Sequence, residues 1–171
     1  MQWFHRYIEK MAGGNTLPRA PRISSAVVAG LGATCAIAAT AGLSDVTGTP
    51  LLMAPFGASC FLAFAAPESP LAQPRNIIFG HLISTATGLI ILALLGDGWA
   101  PIALAVGLAI ILMQVTRTGH APAGADPLVV FALQPTWSYL VFPVLTGTLI
   151  IVAIALVFNN LRSDVSYPKY W

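Results

Sequence analysis

Charge is scarce in this sequence: only 8% of its 171 residues are Asp, Glu, Lys or Arg. A soluble domain carries roughly 25%, so this chain cannot cover a surface that faces water. The net charge of +2 is small and scattered, which excludes a nucleic-acid partner. Cysteine is nearly missing. Cys35 and Cys60 both fall in apolar runs with no metal-ligand spacing and no disulfide framework, and they read as small buried hydrophobes. Gly-x-Ser-x-Gly, Walker A, Gly-x-Gly-x-x-Gly and His-Glu-x-x-His are absent. With no nucleophile–base pair and no metal cluster in view, the chain reads as neither an enzyme nor a cofactor carrier. What is present is apolar: 57% hydrophobic residues and a mean hydropathy of +0.80. These describe an integral membrane protein with one membrane domain.

Residues 1–22 are polar, and the apolar run after them is about 21 residues, too long for the core of a cleaved signal. Within them Trp3, Phe4, Tyr7, Ile8 and Met11 share one helical face, as an interfacial helix would require. Full spans are expected at Ile23–Leu43, ending at Ser44-Asp45, and at Ile77–Leu95, Ala100–Thr116 and Tyr139–Phe158. Residues 159–171 form a polar tail in which Tyr167, Tyr170 and Trp171 suit the headgroup level.

Two further apolar segments are broken. Pro50 and Pro55 interrupt residues 49–66, so helix is expected to start at about Pro55 and to reach only ~16 Å. Arg117-Thr-Gly-His-Ala-Pro-Ala-Gly-Ala-Asp-Pro127 interrupts the second, where helix resumes near Pro122 for ~18 Å. Neither alone spans a ~30 Å core. The breaks echo each other: Pro55-Phe-Gly57-Ala58 against Pro122-Ala-Gly124-Ala125, with Ser59 in the place of Asp126.

The expected fold is therefore an all-α polytopic membrane protein. Six crossings form a 3+3 inverted repeat (residues 23–95 and 100–158), with one discontinuous helix in each half. Three crossings per half give the halves opposite orientation. With both termini inside, Arg6, Lys10, Arg19, Arg22, Arg75, Arg117, Arg162 and Lys169 all fall on the inner face, while Asp45 and Asp97 fall outside. If the broken segments were re-entrant, Arg75 and Arg117 would move outside. The expected location is the plasma (inner) membrane with cytoplasmic termini.

Both half-helix N-termini would then meet at mid-membrane, where unpaired N–H groups and the helix dipole favour an anion. The candidate binding residues are Phe56, Gly57, Ala58 and Ser59 on one side and His120, Ala123, Gly124, Ala125 and Asp126 on the other, with His81 either facing the same cavity or sitting near the inner interface. His120 could bind the anion, carry a coupled proton or gate access. Asp126 suits a cap on the dipole, and would repel an anion unless paired with His120 or Arg117. Arg117, Thr49 and Thr118 are candidate gating or electrostatic groups, and Glu68 and Arg75 a loop contact.

At these residues the chain resembles a known family. Gly119-His-Ala-Pro-Ala-Gly-Ala-Asp-Pro127 is similar to the His-Pro-Pro-Ala-Gly-Ala signature of the HPP integral membrane proteins. Pro55–His81 resembles that family's other hallmark segment, and the likeness covers about residues 20–160. The chain departs from the signature at Ala121, where a proline is usual. The resemblance implies nitrite transport, known for chloroplast and cyanobacterial members. It also implies four spans, the number a hydropathy window finds when it misses two broken helices. The expected activity is transport of a small monovalent anion, nitrite first, across the bilayer. The alternatives are a non-transporting scaffold or subunit, a carrier of another small ion, or a cation path if Asp126 lines it. Small-residue helices leave room for a homo-oligomer.

Overall fold

The computed structural model describes residues 2–163 and 165–171; Met1 and Asp164 lie outside it. The described residues form helices and turns, with no strand among them. Helix α1 is Gln2–Met11, with Trp3 stacked on Tyr7. Then come α2 (Ile23–Thr47), α3 (Pro55–Cys60), α4 (Pro74–Leu95), α5 (Trp99–Val115), α6 (Asp126–Leu133) and α7 (Thr146–Asn160). A wide π turn, Phe61–Ala65, continues α3, and a 3-10 turn, Ala121–Ala125, leads into α6. A 3-10 turn and a π turn lengthen α7 back to Trp137. Three helical stretches are long and apolar enough to cross a membrane: Ile23–Thr47, Pro74–Leu95 and Trp137–Asn160. Three are shorter: Pro55–Ala65, Trp99–Val115 and Ala121–Leu133.

Local chemistry sets the helix ends. α2 continues past Ser44-Asp45, where it was expected to stop, and ends at Gly48, whose φ of +65° suits a residue without Cβ. α4 starts three residues earlier than expected because Pro74 occupies its first turn, where a missing N–H costs nothing.

The surface is apolar and the interior polar. Leu31, Phe61, Phe79, Leu94, Ile111, Leu149 and Val157 are exposed, while Ser59, His81, Ser84, Thr85, His120 and Asp126 are buried. That inversion is what a lipid environment selects. Cys60 is buried as expected, but Cys35 faces outward from α2, because an apolar run in lipid need not be an interior one.

α2 packs along α7 and α5 along α4; α3 lies against α2, α6 lies against α4, and α4 touches α7. At one end of the bundle Asn76 donates to the Gly119 carbonyl (2.8 Å) and Arg75 to the Thr116 carbonyl (3.0 Å). The tail docks at this same end. Tyr167 donates its hydroxyl to the Ala72 carbonyl, Lys169 pairs with Glu68 at 2.8 Å, and Tyr170 donates to the Pro70 carbonyl. So Tyr167 is buried against this loop instead of facing outward, and the partner of Glu68 is Lys169 and not Arg75. At the opposite end Gln134 donates to Asp97.

Candidate functional site

The two broken segments meet where α3 faces the 121–125 turn. α4 runs past this junction and presents His81, Ser84 and Thr85, spaced so that all three fall on one helix face. Ser84 donates to the Ala123 carbonyl at 2.6 Å, which fixes the second break against α4. Gly88 lets Pro127 approach: a Cβ there would lie 3.0 Å from the Pro127 Cα.

A buried line of side chains crosses the junction. Ser59 Oγ lies 2.8 Å from His81 Nε2 and 2.8 Å from His120 Nε2. His81 Nδ1 lies 2.8 Å from Asp126 Oδ2, which also accepts from Thr85 at 3.1 Å. At the other end His120 Nδ1 donates to the Leu71 carbonyl at 2.7 Å. Ser59, His81 and Asp126 have no exposed surface, and His120 is 1% exposed. The Asp126 Oδ1 atom is buried without a hydrogen-bond partner. Among the described residues no Lys, Arg or Glu is buried, so the Asp126 carboxylate and the two imidazoles must settle their charges among themselves.

Ser59, His81, His120 and Asp126 are thus brought together, and the partner of Asp126 is His81 where the sequence suggested His120 or Arg117. Phe56 is fully buried with its edge against His81 (ring centroids 5.4 Å apart). Gly57 and Ala58 face outward from α3; Ala123 is buried, and Gly124 and Ala125 are half-buried. The backbone donors do not remain free as expected. Phe56 N–H donates to the Met53 carbonyl and Gly57 N–H to that of Ala54, because a turn precedes the helix, and Ala123 N–H is spent on the His120 carbonyl. Side chains are therefore the donors at hand. Thr49, Thr118 and Arg117 stand apart from the line. Thr49 lies beside the last turn of α2, bonded to Ser44. Thr118 pairs with Thr116, and Arg117 is exposed in a turn at φ +56°.

Ser84, Thr85 and the Leu71 carbonyl were missed. The His-x-x-Ser-Thr spacing in α4 was the available signal for the first two. A cavity of about 290 Å³ opens beside the line, lined by Leu71, Ile110, Met113, Gln114, Gly119, His120, Ala121 and Gly124.

A helical bundle with an apolar surface and an ionisable interior is a polytopic membrane protein. The chain belongs to the HPP family: the model of the HPP transmembrane region matches residues 18–168. Two transmembrane proteins of Dictyostelium discoideum are similar to it. They are 43% and 40% identical, over 71% and 72% of this chain and 45% and 42% of their own lengths. The chain thus spans less than half the length of the curated relatives it matches. No solved structure matches it.

Proposed function

We propose that this chain carries a small monovalent anion, nitrite first, across the membrane through the junction of its two broken helices. The observation that carries the proposal is the buried Asp126–His81–Ser59–His120 line, assembled from α3, α4, α6 and the stretch before the 121–125 turn where those helices meet. Ionisable groups are expensive inside a membrane and in general mark a path for ions or protons. The cavity beside His120 leaves room for a small ion next to the line, and Leu71 in its wall belongs to the loop on which the tail docks. Nitrite in particular rests on the family resemblance.

Six crossings are part of the same reading, and one observation supports them. Residues 119–134 run the length of α4, from Asn76 at one end to Asp97 at the other. Inverted symmetry has its own support. The offset that lays Pro55 over Pro122 also lays Gly80 over Gly147 and Leu51 over Thr118. A Cβ on Gly80 would meet the Thr118 carbonyl at 3.0 Å, and one on Gly147 the Leu51 carbonyl at 3.1 Å. The helix pairings α2–α7 and α5–α4 exchange under the same operation.

Nitrite uptake into proteoliposomes tests the reading. Flux above that of empty liposomes, reduced at least tenfold by His120→Ala, is expected. Wild-type flux no higher than empty liposomes would leave the scaffold alternative, which a partner retained through purification would favour.

A further inference from the structure

Resting on the transport reading, we propose that the line is a proton relay that couples one proton to each anion, with Asp126 as loading site and His120 as the group that meets the anion. The Leu71 carbonyl can only accept, so His120 Nδ1 always carries hydrogen. Three junctions remain: His120–Ser59, Ser59–His81 and His81–Asp126. With the Ser59 hydroxyl turned to a histidine at 2.8 Å and not to the Pro55 carbonyl at 3.2 Å, each holds one hydrogen, and Ser59 supplies one of the three. Distributing the other two over both histidines and Asp126 gives zero net charge in every arrangement. A low-dielectric site favours that balance.

With Ser59 so turned, a further proton can join without breaking a junction at one atom of the line, Asp126 Oδ1, which is buried and unpartnered. The line then carries one positive charge. The His81 Nε2–H bond breaks as a Ser59 O–H bond forms, while the original Ser59 O–H bond breaks and a His120 Nε2–H bond forms. Ser59 keeps one proton throughout, and the charge moves between rings whose centroids lie 5.0 Å apart. His120 borders the cavity, so an anion there meets a line of net positive charge only after a proton has been loaded. Anion and proton together add no net charge to the membrane interior.

Other titratable groups close by are Cys60 on α3 and Tyr139 ahead of α7, the latter near enough to Asp126 to feel its charge. Arg75 and Arg117 are exposed at the bundle end. Ser59, His81 and Asp126 also have the connectivity of a hydrolytic triad. The second imidazole decides against that: a nucleophile needs a free face, and Ser59 has His81, His120 and the Pro55 carbonyl around its hydroxyl, with no exposed surface.

Proteoliposomes with an entrapped pH dye and a clamped membrane potential report nitrite and proton entry separately, each corrected for empty liposomes. Wild type is expected to take up one proton per nitrite, at a rate indifferent to the potential. In Asp126→Asn the filled line keeps a permanent positive charge, so uptake should be slower than in wild type, lack accompanying protons and be driven by the potential. Ser59→Ala should slow coupled uptake at least tenfold, and Ser59→Thr, which keeps a hydroxyl, should restore it. Wild-type uptake without protons overturns the relay and leaves the transport reading standing, whereas no uptake at all removes both. Wild-type coupling in Asp126→Asn, or labelling of Ser59 by a fluorophosphonate, would also overturn it.

Discussion

Gly147 has no side chain because Phe56 takes the space one would need. A Cβ there would lie 2.2 Å from the Phe56 ring and 3.1 Å from the Leu51 carbonyl, and Phe56 is fully buried. The same ring edges onto His81, so the glycine on α7 indirectly positions a histidine on α4. Gly147→Ala should therefore destabilise by about 1–3 kcal/mol, the usual cost of overpacking. Gly124→Ala, with nothing within 4 Å, should be neutral. Melting of both variants in detergent checks this, and equal melting points would show that Phe56 yields. At this scale much of the buried line was legible. His120 and Asp126 stand out because proline and glycine surround them, and Ser59 because it takes Asp126's place in the echo. The partner of Asp126 was not legible: which face of α4 turns toward the break depends on Gly80 and Gly88 admitting neighbours, and composition does not show that.

Among the elements, the tail is the piece whose role the sequence concealed. Its aromatic residues read as headgroup anchors, yet Tyr167 is 2% exposed and donates to the Ala72 carbonyl, and Lys169 N–H donates to Gln73 Oε1. The acceptors belong to a loop far away in the chain, so no local pattern announces them. That loop includes Leu71, whose carbonyl holds His120, so the docked tail steadies one end of the buried line. Burial raises the Tyr167 phenol above its ordinary value of 10.0. An acid raised in the docked state contributes its full stability below the free value and loses it as pH rises beyond that. The tail should therefore stay docked at neutral pH and loosen above about pH 10. Tyr167→Phe should weaken docking by about 1 kcal/mol at neutral pH and remove most of the alkaline step. The mobility of a spin label at Ser166→Cys, with Cys35 and Cys60 replaced, measures both. An unchanged alkaline step in Tyr167→Phe would assign the transition to another group.

For the whole molecule the question is how many times the chain crosses. Proline and charge suggested six passes, while hydropathy alone finds three long apolar helices. For two of the three missing passes the cause is a broken helix, which spends part of its path in extended or 3-10 backbone and covers more length per residue than a window for continuous helix allows; the third, Trp99–Val115, is continuous but only 17 residues long. Contacts between loops sharpen the choice. Lys169 of the tail pairs with Glu68, and Arg75 reaches the Thr116 carbonyl, so the tail and both of these connections share one end. If the broken segments were re-entrant, the tail and the Glu68 loop would lie on opposite faces, and their pairing could not form. Impermeant maleimide applied to sealed cells, against single cysteines at Glu68→Cys, Asp97→Cys and Ser163→Cys in the background without Cys35 and Cys60, separates the two arrangements. All three positions are exposed. With Arg75, Arg117 and Lys169 on the inner face, Asp97→Cys should label from outside, and the other two only after permeabilisation. Labelling of Glu68→Cys from outside while Ser163→Cys stays protected would sink the six-crossing arrangement, and with it the meeting of two opposed half-helices on which the anion path depends.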